Sequence, residues 1–167
     1  RLFTSEQLGL VKAHDILPQR ERSISGILRR FEELGFGDEF RRMCVLDALI
    51  LNVDRHLGNF GVLVDNQTLQ IQRMAPVFDH NRSLLFDMDQ SQLENLPWCI
   101  GTCKPRIGTD FIATARGMLT PEIRRDVEEL REFSFRQHPE IRADQARLDA
   151  LGAVVRSQTA RILELFR

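Results

Sequence analysis

From Met43 to Val53 almost every residue is apolar: Cys44, Val45, Leu46, Ala48, Leu49, Ile50 and Leu51. A helix apolar on every side must be surrounded on every side. The chain therefore has to build its core around this run, with other elements packed about it. At 167 residues it is long enough for one domain with a sizeable core. One acid, Asp47, interrupts the run. The expectation is a buried carboxylate paired with an arginine or a backbone donor. A supporting role beneath Asp54, two turns on, is the sharper alternative.

The run empties into a tight stretch, Leu51-Asn-Val-Asp-Arg-His-Leu-Gly-Asn-Phe-Gly61. Phe60–Val64 and Leu69–Met74 then read as strands, joined by the turn-forming Asp65-Asn-Gln-Thr68. Pro76 stops regular pairing, and Val77-Phe78-Asp79 places a second acid after an apolar pair. A hairpin here returns the chain towards Asn59, and the bend at Pro76 swings Asp79 into reach.

Elsewhere helices predominate. Thr4-Ser-Glu-Gln7 has capping-box spacing and predicts a helix running towards His14, with Lys12 inside it. Pro18–Arg22 reads as a loop. Ile24, Ile27, Leu28, Phe31 and Leu34 mark one helix face, with Ser23 as N-cap and Gly35 as C-cap. Asp38 can cap the helix that holds the apolar run. Ser91-Gln-Leu-Glu94 can open a short helix, and the Pro and Gly of Leu96–Gly108 predict an irregular segment. Further helices are expected from Asp110 to Met118 and from Thr120, with Pro121 in first position. A last one aligns Leu148, Leu151, Val155, Ile162 and Phe166 after a break at Pro139. Trp98 is expected to anchor its segment to the core.

Phosphoryl transfer to a hydroxyl needs held phosphates, a bridging Mg²⁺ and a carboxylate that positions the attacking oxygen. Asp54, on a loop at the end of a buried helix, is rigidly placed for the last task. An acid there opposes the helix dipole, which favours a functional role over a structural one. Asn59, five residues on, can offer an amide oxygen to Mg²⁺, and Asp79 can supply the further hard oxygen ligand. His56 is either a general base or a residue that orients the loop. Arg55 either touches phosphate or pairs with an acid. Singly each signal is weak; buried run, Asp54, Asn59, hairpin and Asp79 in order form a fairly specific array.

Asn52-Val-Asp-Arg-His-Leu-Gly-Asn59 and Met74-Ala-Pro-Val-Phe-Asp-His-Asn-Arg-Ser-Leu-Leu85 together resemble the carboxy-terminal region of the HipA-like kinases. These are bacterial serine/threonine protein kinases, many of them toxins of toxin–antitoxin pairs. The similarity runs from about Ser23 to Cys103-Lys-Pro105. The Asp-Arg-His order is also similar to lipid kinases of the phosphatidylinositol 3-kinase type. The resemblance implies Asp54 as catalytic acid/base, and Asn59 and Asp79 as the residues holding Mg²⁺ and thereby ATP. It places Phe78-Asp79-His80 where other kinases have Asp-Phe-Gly. It implies a mainly α fold: the helical C-terminal lobe of a protein-kinase-like fold, with one small β-hairpin carrying the catalytic and metal-binding loops.

A kinase also needs a glycine-rich loop and a strand-borne lysine. No G-x-G-x-x-G occurs, and the only lysines are Lys12 and Lys104. Residues 1–167 are therefore expected to be a single C-terminal lobe, without its N-terminal lobe and inactive alone. The start, Arg1-Leu2-Phe3-Thr4, has no initiator Met and fits a chain that begins inside a longer protein. Expected partners are that lobe, a protein substrate and a cognate antitoxin. The segment from Asp79 to Gly108 would be the substrate platform, with Ser83, Ser91, Thr102 and Thr109 as either phosphosites or plain exposed hydroxyls. A net charge of −1 argues against nucleic acid or anionic membrane as partner, and no apolar run spans a bilayer. Cys44 reads as core and Cys99 and Cys103 as free thiols, which fits a reducing cytoplasm. Competing readings are a non-catalytic pseudokinase or docking lobe, and a lipid or small-molecule kinase with the same loop.

Overall fold

The computed structural model describes residues 4–164. The apolar run lies in helix α3 (Gly37–Ile50), with Met43, Cys44, Val45, Asp47, Ala48 and Leu49 all buried. Around it pack α2 (Ile24–Glu33), α5 (Phe111–Met118) and the long α7 (Gln145–Glu164). Helix α6 (Pro121–Glu128) covers the outer side of α7.

Three of the caps follow the sequence, but Asp38 does not cap α3: it lies inside the first turn, and the N-cap position is Phe36 with no side-chain cap bond. Ser23 Oγ accepts from Gly26 N at 3.2 Å, Asp110 caps α5 and Thr120 caps α6. Helix α2 closes as the reading of Gly35 requires. Phe36 N donates to Phe31 O and Gly35 N to Glu32 O, with Gly35 at φ 83°.

The β structure is larger than one hairpin. Strands β1 (Leu8–Lys12), β2 (Gly61–Asp65) and β3 (Ile71–Met74) form an antiparallel sheet in that order. Where a capping-box helix was expected there is β1. The Ser5 hydroxyl accepts from Gln7 N and Leu8 N, so it closes a turn, and Leu8–Lys12 then pairs residue for residue with Asp65–Gly61. Pairing to a distant strand overrides the local helix signal. Lys12 accordingly sits at the end of a strand, exposed, followed by the one-turn helix α1 (Ala13–Ile16). Gly61 is required here, because a Cβ at that position would run into the carbonyl of Val11. Phe31, Phe40 and Phe60 pack together with centroids 5.3–5.8 Å apart and join α2, α3 and the start of β2.

The segment read as irregular holds a helix, α4 (Leu96–Thr102). Pro97 occupies its first turn, where its missing N–H is not needed, and Asn95 caps Trp98 N. Trp98 is 51% exposed and does not anchor the segment; Cys99, fully buried, does. The last helix carries Val155 and Ile162 inward as expected, with Val154 and Gln158 beside them, while Leu148 and Leu151 are only partly covered. Phe166 lies outside the described residues. No helix among them is long and apolar enough to cross a membrane.

Candidate active site

Helix α3 stops at Ile50, three residues before the end of the apolar run, because Leu51 turns left-handed at φ 52°. A helix end leaves four carbonyls without partners. Here one is met by the next turn of chain and two from far along it. Asp47 O accepts from Asn52 N, Ala48 O from the side chain of Gln158 on α7, and Ile50 O from Leu84 N. Val53 N donates to Arg82 O. The loop that follows α3 is thus set down on the chain segment that follows Asp79.

Beneath the loop lies a buried ion pair. Arg55 Nε and Nη2 bond the two carboxylate oxygens of Asp47 at 2.8 and 3.0 Å, with side chains only 4% and 8% exposed. Its remaining nitrogen, Nη1, donates at 2.7 Å both to Asn59 O and to Phe78 O. One guanidinium therefore clips together the end of α3, the residue expected to hold metal and the residue before Asp79. Arg55 pairs with an acid, and touching phosphate is not its role. Asp47 meets both of its expectations. It pairs with arginine, and it also receives Asn52 Nδ2 at 2.9 Å while Asn52 Oδ1 accepts from Asp54 N.

Asn59 is 5% exposed, and its Nδ2 donates to Asp54 O at 3.0 Å. That bond fixes the amide orientation and leaves Oδ1 without a hydrogen bond among the described residues. Asp79 is exposed, accepts no hydrogen bond or ion pair among the described residues, and sits at φ 60°. A non-glycine residue held left-handed stores strain of about 1–3 kcal/mol, which is concentrated at working sites. Leu84 and Leu85 share that conformation at φ 54°. The whole segment after β3 is held in a strained path by its bonds to Ile50 and Val53. A free amide oxygen and a free carboxylate are hard ligands of the kind Mg²⁺ takes in small number, so the residues fit such an ion. No group of three or more His, Cys, Asp and Glu side chains able to hold a metal occurs among the described residues.

Asp54 is engaged. Its Oδ1 accepts from Arg106 Nη1 at 2.6 Å, and Arg82 Nη1 lies 3.9 Å away. His56 Nδ1 accepts from Gly58 N at 3.0 Å, which favours the loop-orienting reading and leaves Nε2 free of partners among the described residues. His80 packs inward. Its Nε2 is buried without a partner, and burial, then the charge of Arg55, holds it below the ordinary imidazole range. Ser83 is buried with an unpartnered hydroxyl, so it is no exposed phosphosite. Cys44, Cys99 and Cys103 are free thiols, and burial pushes Cys44 and Cys103 up.

Sequence reasoning missed Arg106 and Arg82 as neighbours of Asp54. Arg106 lies 52 residues beyond it, and no spacing rule links the two. The clip made by Arg55 had one available signal, the coincidence of a buried acid and an arginine eight residues later.

No family model and no curated protein matches the chain. Among solved structures, it is similar to the crystal structure of a Helicobacter pylori proinflammatory kinase, CtkA. The TM-score is 0.66 at 15% identity, over 98% of this chain and 71% of that one. The likeness shows a kinase-like fold, helical with a small antiparallel sheet.

Proposed function

We propose that this chain is the helical catalytic lobe of a HipA-like serine/threonine protein kinase. Joined to an N-terminal lobe, it transfers the γ-phosphoryl group of ATP to a protein hydroxyl in a bacterial cytoplasm, as the toxin of a toxin–antitoxin pair. The observation that carries the reading is the Arg55 clip. A fully bonded, buried guanidinium, on the residue after Asp54, holds the carbonyls of Asn59 and Phe78 on one atom. A chance array of acids and amides has no reason to be clamped in this way.

The geometry supports the following roles. Asn59 offers Oδ1 because its nitrogen is tied to the Asp54 carbonyl. Asp79 offers a carboxylate that takes no hydrogen bond or ion pair among the described residues. Asn59 and Asp79 would hold a Mg²⁺ ion there, and its charge would offset the negative charge that develops on the transferred group. Asp54 orients the acceptor hydroxyl and takes its proton as the acceptor oxygen bonds the γ-phosphorus and the bond to the leaving oxygen of ADP breaks. His56 holds the loop through Gly58. The glycine-rich cover over the nucleotide belongs to an N-terminal lobe that joins this one, and a cognate antitoxin is the expected restraint.

The test is autophosphorylation with labelled ATP and Mg²⁺ in the full-length protein that contains this chain, beside Asp54→Ala and Asp79→Ala. Each substitution is expected to lower labelling by about 10²–10⁴-fold. Equal labelling of all three proteins discards the assignment. Residues 1–167 alone are expected to show no Asp54-dependent labelling.

A further inference from the structure

We propose that the surface beside Asp54 selects a polypeptide acceptor whose hydroxyl is flanked by an acidic residue and an apolar one. This rests on the kinase reading above and specifies its acceptor. Three exposed cations gather there. Arg106 and Arg82 both approach Asp54 Oδ1, and Lys104 lies two residues before Arg106. Arg82 and Lys104 line a pocket of about 230 Å³ whose apolar wall includes Val53, Leu85, Phe86 and Met88. Val53 immediately precedes Asp54, so the pocket adjoins the acid. Neither Asn59 nor Asp79 lines it, so it is separate from the residues assigned to the metal.

The charge balance of the pocket favours an anion. Asp87 is its single acidic lining residue. Lys104 has no ion pair among the described residues. Arg82 reaches an acid only at 3.9 Å and otherwise lies over the Phe86 ring, 5.0 Å from its centroid. A basic acceptor would be pressed against these cations, and like charges brought together at an interface are strongly disfavoured. An acidic residue gains Arg82 and Lys104. The apolar wall is already set. Arg147, from α7, donates to Met88 O at 2.9 Å and to Leu85 O at 3.4 Å, so the pocket exists before anything enters it.

The test uses the full-length protein and peptides that share one serine but carry Glu-Leu, Lys-Leu or Glu-Gly beside it. The kcat/KM for the Glu-Leu peptide is expected to exceed that for Lys-Leu by at least about tenfold, and to exceed Glu-Gly. The double variant Arg82→Glu, Lys104→Glu is expected to invert the order of the two leucine peptides. Inversion needs a folded enzyme, so misfolding cannot mimic it. Autophosphorylation with no preference among peptides, or a basic preference in the unaltered protein, overturns this proposal and leaves the kinase reading intact. A double variant that raises only the KM for ATP also overturns it, since the cations would then serve the nucleotide. Absence of any transfer, autophosphorylation included, removes both.

Discussion

All three nitrogens of the Arg55 guanidinium are bonded inside the protein: two to Asp47, the third to the carbonyls of Asn59 and Phe78. Removing one partner of such a pair leaves the other charge buried and uncompensated, which costs about 3–5 kcal/mol. Arg55→Ala is therefore expected to lose about that much stability in urea denaturation. A loss below about 1 kcal/mol, in the range of an exposed pair, would show that the clip is not holding the loop. The same residue explains why Asn59 and Asp79 look so unlike each other. Asn59 is buried and oriented by a bond to Asp54 O, whereas Asp79 is exposed and placed by backbone conformation alone. The two side chains are positioned by different means, yet both chain segments are held by a single nitrogen of Arg55.

At the scale of elements, the three-stranded sheet is the frame on which the site hangs. Strand β1 supplies its outer edge, and Ala13 N continues the ladder by donating to Phe60 O, one residue beyond Asn59. The pairing of Lys12 with Gly61 brings backbone against backbone, with no room for a side chain at Gly61. Gly61→Ala is expected to cost about 1–3 kcal/mol by forcing β1 away from β2. The amides of Val11 and Ala13 should lose hydrogen-exchange protection before those of α3. Unchanged protection would mean that β1 adjusts freely and does not brace the loop. The turn between β2 and β3 is set more locally. The Asp65 carboxylate accepts from Gln67 N and Thr68 N, and those bonds hold it below the usual carboxylate range. Its anionic form is the one the fold favours. The turn therefore keeps this support above the ordinary pKa of 3.8 and loses it as pH falls through the lowered value. Asp65→Ala should abolish that acid-dependent loss of protection at Gln67 and Thr68.

Across the whole molecule, the last helix reaches the end of α3, ahead of the Asp54 loop, through a polar side chain. Gln158 is fully buried on α7. It donates to Ala48 O at 2.8 Å and accepts from Arg161 Nη1 at 2.8 Å. Gln158→Leu fills similar space but leaves a buried carbonyl unmet near the end of α3, at a cost of about 1–3 kcal/mol. The expected result is a lower thermal midpoint together with faster exchange at Asn52 and Val53. A drop in midpoint with those two amides unaffected would assign Gln158 to general packing only.

Much of this molecule could be read from local chemistry. Ser23, Gly35, Asp110 and Thr120 set helix ends by bonds that span three or four residues, and such bonds are visible in any short window. The apolar run demanded a central helix, and the array of Asp54, Asn59 and Asp79 around a hairpin suggested one kind of chemistry. Long-range partners decided the remainder. Ser5 caps a turn and Leu8–Lys12 becomes a strand because β2, Gly61–Asp65, offers it a ladder from far along the chain. The end of α3 falls at Ile50, not Val53, because Leu84 and Gln158 satisfy its carbonyls from elsewhere. The company of Asp54 was invisible for the same reason: Arg106 meets it only after α4 has brought the chain back. Caps and periodicity act within a turn or two of the chain. Which charge meets which acid is settled only when distant segments compete for the same space.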